Sequence, residues 1–203
     1  MTDKAKVMLS EFEAMLIKNR DWILTKHVII EKAGELLGSQ VHPINLQFIR
    51  PLLPVLPRLA SCSPKLSKGE KYQGLPYVIL DHPAMFSRTD VFALRTMFWW
   101  GNFISVTLHL SGTHKRALEN LLIDRVKADR KDLYISTGES EWEHHFAKSN
   151  FTPVEEMEAE MLYKKIVQPS FIKIALQYDL SEWDNMNELL QVAYSRLAGL
   201  IKA

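Results

Sequence analysis

The sequence predicts an α+β fold, in which an antiparallel sheet of about four or five strands has the N- and C-terminal helices packed on one face. Two observations support this prediction. Apolar residues repeat with helical spacing mainly near the two ends of the chain, and apolar and polar residues alternate strictly towards its middle, as in half-buried strands. The chain also lacks the regular succession of strand and helix patterns that predicts a doubly wound parallel sheet.

A single domain is expected over 1–203, because a chain of 203 residues is near the usual domain size and buries roughly 70% of its unfolded surface. Its first part, 1–38, is predicted to form a helical hairpin. Apolar residues within 5–16 occupy one helical face, and Asp21 is placed to cap a second helix that ends just before Gly38.

Residues 39–74 are predicted to form a proline-rich strap and loop. Five prolines remove backbone hydrogen-bond donors between 43 and 64, which disfavours both a long helix and a central strand. The same stretch is rich in leucine, isoleucine and valine. We therefore expect an extended strap that packs on the core, followed by a polar loop over 61–74.

The sheet and its intervening helices are expected over 75–180, and a C-terminal helix over 181–203. Period-two alternation defines the longest strands, and capping residues with helical spacing define the helices. The predicted strands are 75–81, 102–110, 133–136 and 171–178. The predicted helices lie at 90–98, from Thr113, from Pro153 within a capping-box pattern, and from Ser181.

Charge and cysteine content limit the classes of function. A formal net charge of +1 provides no field that would attract a polyanion, so no nucleic-acid partner is predicted. Cys62 is the only cysteine, which excludes an intrachain disulfide and a multi-cysteine zinc site. The N-terminus lacks the apolar core of a signal peptide, and the uncharged stretch 96–114 is too polar to face lipid. We therefore expect a cytoplasmic protein without a membrane partner.

A polar row on the longest predicted strand is the first candidate for ligand binding. Ser105, Thr107 and His109 share one face of that strand, and Lys173 and Gln177 occupy alternate positions of another. If the two strands are neighbours, these side chains form a polar floor for a small molecule. The alternative is a sheet face that is simply exposed to solvent, as is common in antiparallel sheets.

Trp99 and Trp100 are further candidates for ligand binding. Adjacent side chains point in different directions in any regular structure, so at least one of the two indole rings is available to line a pocket or an interface. The alternative is that both rings fill the core where a helix over 90–98 meets the following strand, because aromatic residues usually contribute packing.

Glu141, His144 and His145 form a candidate metal site. On a helix, the three- and four-residue spacings would place the glutamate on one face with either histidine, and these are ligand types for zinc or iron. A catalytic site needs about three protein ligands, so another would have to come from a distant part of the chain. The alternative is a polar amphipathic turn with Trp142 directed inward.

Two strings, Gly-Leu-Pro-Tyr-Val-Ile-Leu-Asp at 74–81 and Phe-Trp-Trp-Gly-Asn-Phe at 98–103, are similar to strings in uncharacterised bacterial proteins. Together with the order of the predicted elements, this resemblance extends over most of the chain. It implies a bacterial cytoplasmic protein. It implies no activity, no cofactor and no site residue.

Three functions from different classes follow from these candidates. The first, which we favour, is a non-catalytic small-molecule-binding or accessory protein that uses the polar row and one tryptophan, and that also allows a homodimer. The second is a metal-dependent hydrolase built on Glu141, His144 and His145. The third is a structural or assembly protein that forms a homo-oligomer. Nucleotide, flavin and dithiol motifs are absent from the sequence, so we predict no cofactor and assign no catalytic residue.

Overall fold

The protein contains one antiparallel sheet, seen in a computed structural model that describes residues 7–202. The strands are β1 (Lys65–Tyr72), β2 (Leu75–Phe86), β3 (Val91–Trp99), β4 (Phe103–Ser111), β5 (Tyr134–Ser136), β6 (Phe151–Pro153) and β7 (Phe171–Asp179). They are ordered β1-β2-β3-β4-β7-β5-β6. The predicted α+β class with an antiparallel sheet is confirmed, but the predicted four or five strands are too few for a sheet of seven.

Helices occupy both ends of the described chain and two of the connections between strands. They are α1 (Glu11–Leu16), α2 (Arg20–Ser39), α3 (Val41–Ile44), α4 (Arg50–Leu52), α5 (Gly112–Ala128), α6 (Ala159–Val167) and α7 (Met186–Ile201). The first predicted helix includes Ala5, which lies outside the described residues. Within 7–202, no helix is long and apolar enough to cross a membrane.

Residues 90–98, which the sequence predicted to be helical, form strand β3 instead. Both faces of β3 are covered, so apolar residues occupy nearly every position and the period of two that marks a half-buried strand is lost. Asp90, at the start of the predicted helix, lies in the turn before the strand. Its carboxylate accepts hydrogen bonds from the backbone N–H and the hydroxyl of Thr113, both at 2.6 Å, and so caps α5.

The segment predicted as a polar loop over 61–74 contains the edge strand β1. Its side chains are mostly exposed and polar, and its strand conformation comes from pairing with β2, between Lys65 opposite Asp81 and Tyr72 opposite Leu75. The helix predicted from Pro153 is also displaced. Pro153 belongs to β6, which pairs with β5, and α6 begins only at Ala159.

The predicted extended strap is largely helical, because Val41–Ile44, a π-helical turn (Asn45–Ile49) and Arg50–Leu52 follow one another. Pro43 lies in the first helical turn, where a missing N–H is tolerated. The backbone N–H of Arg50 donates to the carbonyl of Asn45, five residues back, which is the hydrogen bond of a π-helical turn. The next residue, Pro51, has no N–H with which to continue an α-helical pattern. The prolines therefore alter the hydrogen-bond pattern of this segment but do not prevent it from being helical.

The main hydrophobic cluster joins the helices to one face of the sheet, which we call the core face. It contains alternate residues of β2, β3, β4 and β7 together with residues of α2, α5, α6 and α7. Thr96 of β3 also points to this face, where its hydroxyl lies 3.0 Å from the hydroxyl of Tyr194 on α7, and both residues are fully buried. Alternation along each strand then directs the intervening residues to the opposite face.

We predict that Tyr194→Phe lowers the free energy of unfolding by about 1–2 kcal/mol, because it leaves the buried hydroxyl of Thr96 without its partner. Urea unfolding followed by circular dichroism measures the change. Tyr163→Phe, at a 47% exposed position of α6, is the matched control and is expected to change stability by less than about 0.5 kcal/mol. Equal effects of the two substitutions would contradict the assignment.

Candidate functional site

The face of the sheet opposite the core face carries a row of charged side chains, and we call it the polar face. Asp81 of β2 lies directly opposite Arg95 of β3, and His109 of β4 lies directly opposite Lys173 of β7. Asp81 and His109 are each 4% exposed and Lys173 is 1% exposed. Four neighbouring strands thus bring their ionisable groups together in a buried position.

A coil segment over 137–150, which connects β5 to β6, covers the polar face, and we call it the cover segment. The phenolic oxygen of Tyr72, on β1, accepts hydrogen bonds from the backbone N–H groups of His144 at 2.6 Å and His145 at 3.0 Å. The side-chain amide of Asn150 donates to the carbonyl of His145 at 2.6 Å. The Tyr72 contacts hold the middle of the segment against the sheet, and the Asn150 contact braces the segment internally, without any helix or strand within it.

Arg95 forms a two-pronged ion pair with Asp81. Its Nε lies 2.7 Å from Oδ1 and its Nη2 lies 2.9 Å from Oδ2, which is the strong bidentate geometry of arginine and carboxylate. The remaining Nη1 lies 3.0 Å from Nε2 of His144. Burial, with the positive charges of Arg95 and then Lys173, lowers the pKa of His144 to about 3. The neutral ring therefore accepts the hydrogen bond that Arg95 donates.

His109 forms a second pair with the cover segment, since its Nε2 lies 2.9 Å from Oε2 of Glu141. Burial, with the charges of Lys173 and Arg95, lowers the pKa of His109 to about 3. The nearby carboxylate favours the cationic ring, but burial outweighs it. At pH 7 the imidazole is neutral and donates its Nε2–H to Glu141.

Lys173 differs from the other charged groups of the polar face because its ammonium is held by uncharged oxygen atoms. Nζ donates to the carbonyl of Glu143 at 2.5 Å, and lies 3.5 Å from the carbonyl of Ser140 and from Oδ1 of Asn150. Among residues 7–202 it makes no salt bridge with a carboxylate within 4.0 Å. Burial, and then the charge of Arg95, lowers the pKa of Lys173 to about 8.

The edge of the site reaches solvent beside the pair of His109 and Glu141. The Glu141 side chain is 29% exposed, and Trp142 next to it is 53% exposed. The ring of Trp142 lies 6.3 Å from that of Phe86, which is also exposed, so an aromatic rim borders this opening. Trp142, which the alternative interpretation of this segment directed inward, is thus more than half exposed, although its ring lies 5.7 Å from that of His109.

The structure brings the predicted polar row together with its expected neighbours. β4 pairs with β7, so that Ser105 lies opposite Gln177 and His109 opposite Lys173, while Thr107 lies between them on the same strand. These five residues therefore share the polar face. Their use in ligand binding stays a prediction.

The two tryptophans lie on different sides of the sheet. Trp99 belongs to the polar face, where its ring packs on Tyr72 at 5.1 Å and on Phe103 at 5.3 Å. Its buried indole N–H has no hydrogen-bond partner among the residues that the structure describes. Trp100 packs edge-on against Trp22 and Phe98 instead. Only Trp99 is thus placed near the polar row.

Glu141, His144 and His145 do not lie on a helix, and the structure gives each a different partner. Glu141 contacts His109, His144 contacts Arg95, and Nε2 of His145 lies 3.4 Å from Oε2 of Glu143. Between residues 7 and 202, no group of three or more His, Cys, Asp or Glu side chains is arranged to hold a metal ion. The coil conformation therefore lacks the helical spacing on which the predicted shared face depends.

Arg95 and Tyr72 are the residues of this site that sequence reasoning missed. A signal for Arg95 was present, because it is the only Lys, Arg, Asp or Glu between Asp90 and Lys115. A lone arginine in an apolar stretch indicates a buried, paired charge. Tyr72 had no comparable signal, since its role depends on the distant cover segment.

We predict that Tyr72→Phe accelerates hydrogen exchange of the His144 and His145 amides by about threefold to tenfold, because the loss of a shared, partly buried acceptor costs each N–H about 1 kcal/mol. Hydrogen-exchange NMR measures the rates. Tyr77→Phe is the matched control, since Tyr77 packs on Tyr72 but lies on β2. Unchanged rates in Tyr72→Phe would show that the cover segment is held by other contacts.

We also predict that acidification destabilises the fold through His109 and His144. The unfolded chain binds more protons than the folded one between about pH 3 and pH 6.5, so the free energy of unfolding falls as pH is lowered through this range. By pH 5 the loss is about 2 kcal/mol for each histidine.

Urea unfolding at pH 7 and pH 5 tests this dependence. His109→Gln keeps a donor for Glu141 but does not titrate, so its stability loss between the two pH values is expected to be about 2 kcal/mol smaller than that of the wild type. His27→Gln, at an exposed position of α2, provides the control. An identical loss in all three proteins would refute the assignment.

Comparison with known proteins found no matching family model, no similar curated protein and no similar solved structure. The function therefore has to be inferred from the chemistry of the polar face itself.

Proposed function

We propose that this protein is a non-catalytic binding protein for a small acidic molecule, which it holds between the polar face and the cover segment. The observation that carries the proposal is Lys173, a buried ammonium without a carboxylate partner among residues 7–202. A carboxylate or phosphate group is the complement that such a site accepts best.

The energetic cost of the polar face supports this proposal. Buried ion pairs are often no more stabilising than apolar residues of similar size, and an unpaired buried charge is unfavourable. The same face of the same sheet also buries Met97, Trp99 and Phe103 in a small apolar cluster. Since apolar residues fit this surface, the charged residues beside them are better explained by binding than by stability.

The positions of the hydrogen-bond donors indicate how the ligand is held. Its acidic group replaces the carbonyl of Glu143 at Lys173 and the carboxylate of Glu141 at His109, both of which belong to the cover segment. Arg95 stays paired with Asp81 and contributes positive potential. The donors, Lys173 and His109, lie on strands, whereas their present acceptors, Glu143 and Glu141, lie in the cover segment. Replacement of these acceptors by the ligand therefore requires movement of the cover segment alone.

The aromatic rim favours a ligand with an apolar or planar body. Trp142 and Phe86 border the opening beside Glu141, and a ring or alkyl group attached to the acid would pack against them. Glu141 at this point is already partly exposed, which favours entry here.

We predict that Lys173→Met abolishes binding of small acids. Benzoate and inorganic phosphate serve as probes, since the first offers a carboxylate on a planar body and the second offers a phosphate alone. Thermal unfolding of the wild type is expected to shift upward with benzoate, because a ligand at about 100 times its Kd stabilises the folded state by about 2.7 kcal/mol. Lys173→Met is expected to show no shift.

Lys148→Met, an exposed position of the same segment, is the control and is expected to respond as the wild type does. Circular dichroism verifies that each variant is folded. A response to phosphate without one to benzoate would identify a phosphate ligand. A wild type that responds to neither probe, or variants that respond equally, would overturn the proposal.

A further inference from the structure

The N-terminal part of the described chain exposes an unusual number of large apolar side chains. No residue of α1 is buried, and Phe12 and Ile17 are 65% and 74% exposed. We call this surface the N-terminal apolar face. It comprises Val7, Met8, Leu9, Phe12, Met15, Ile17, Trp22, Ile23, Leu24 and Val28, which belong to α1, its flanking residues and the first part of α2.

The size of this surface indicates an interface. Ten side chains that each expose on the order of 100 Å² present roughly 1,000 Å², which exceeds the largest apolar patch of a typical monomer. It is also close to the roughly 800 Å² that each partner buries in a standard protein–protein interface. In addition, α1 has only six residues, and a helix of that length is not stable in water without packing.

The charges of this region favour a second copy of the chain over a membrane surface. Residues 7–28 contain three acidic and three basic side chains, whereas helices that bind anionic bilayers carry an excess of lysine and arginine. The charges are also ordered along the chain. Glu11 lies at the start of α1, and Lys18 follows its end. Two such segments in antiparallel orientation place the acidic start of one α1 level with the basic residue that follows the other α1.

We infer that the N-terminal apolar face forms an isologous homodimer interface in which α1 packs antiparallel to α1 of a second copy. A two-fold axis across the middle of α1 brings Phe12 of one copy level with Ile17 of the second copy, and these two apolar residues lie on the same half of the helix surface. Leu16, Ile17 and Trp22 line a concavity of about 540 Å³ just past α1, and this concavity receives the Phe12 ring. The inference is independent of the polar face.

Sedimentation velocity of the full chain at micromolar concentration tests the interface. The wild type is expected to sediment with the mass of two chains, and Phe12→Lys with the mass of one. Because the Phe12 side chain is largely exposed among the residues that the structure describes, this variant is expected to keep its fold. Val192→Lys, at a 63% exposed apolar position of α7, is the matched control and is expected to remain dimeric.

A monomeric wild type, an assembly larger than two chains, or a dimer that persists in Phe12→Lys would overturn the inference. Flotation of a monomeric wild type with phosphatidylcholine–phosphatidylglycerol vesicles would assign the surface to a membrane instead.

Discussion

The ion pair between Arg95 and Asp81 connects the sheet, the core and the cover segment. The two residues are direct partners in the pairing of β2 with β3, and two parallel hydrogen bonds compensate for the burial of both charges. The third nitrogen of Arg95 contacts His144 and so ties the cover segment to the sheet. A one-residue shift of β3 would turn Arg95 into the core and remove Thr96 from Tyr194, so the polar site and the core require the same register.

The polar face combines two kinds of burial on one surface. At one end, Met97, Trp99 and Phe103 pack as ordinary core residues do. At the other, Arg95 and Asp81 pair with each other, and His109 and Lys173 form hydrogen bonds to a coil segment whose own stability depends on a few hydrogen bonds. Segments held in this way open locally at a lower cost than strands or helices. The division places nitrogen donors of the strands beneath a coil cover, and the proposed binding function depends on this arrangement.

Helix α2 relates this site to the N-terminal apolar face. Its C-terminal half contributes Ala33 and Leu37 to the core, and it packs along β2. Its first turns leave Trp22 and Ile23 exposed. One helix therefore packs on the interior of the fold at one end and carries part of the inferred dimer surface at the other. The polar face lies on the opposite side of the sheet from the core that α2 helps to form.

The sequence by itself determined the α+β class, helices α2, α5 and α7, and the strands at 75–81, 102–110 and 171–178, because these elements carry their periodicity within a few neighbouring residues. It also placed His109 and Lys173 in the polar rows of their respective strands. Only the tertiary structure decided that 91–99 is a strand, since burial on both faces removes the alternation that would reveal it. It alone placed Arg95 beside Asp81 and separated Glu141 from His144, because strand pairing and coil conformation depend on contacts between residues far apart in the chain.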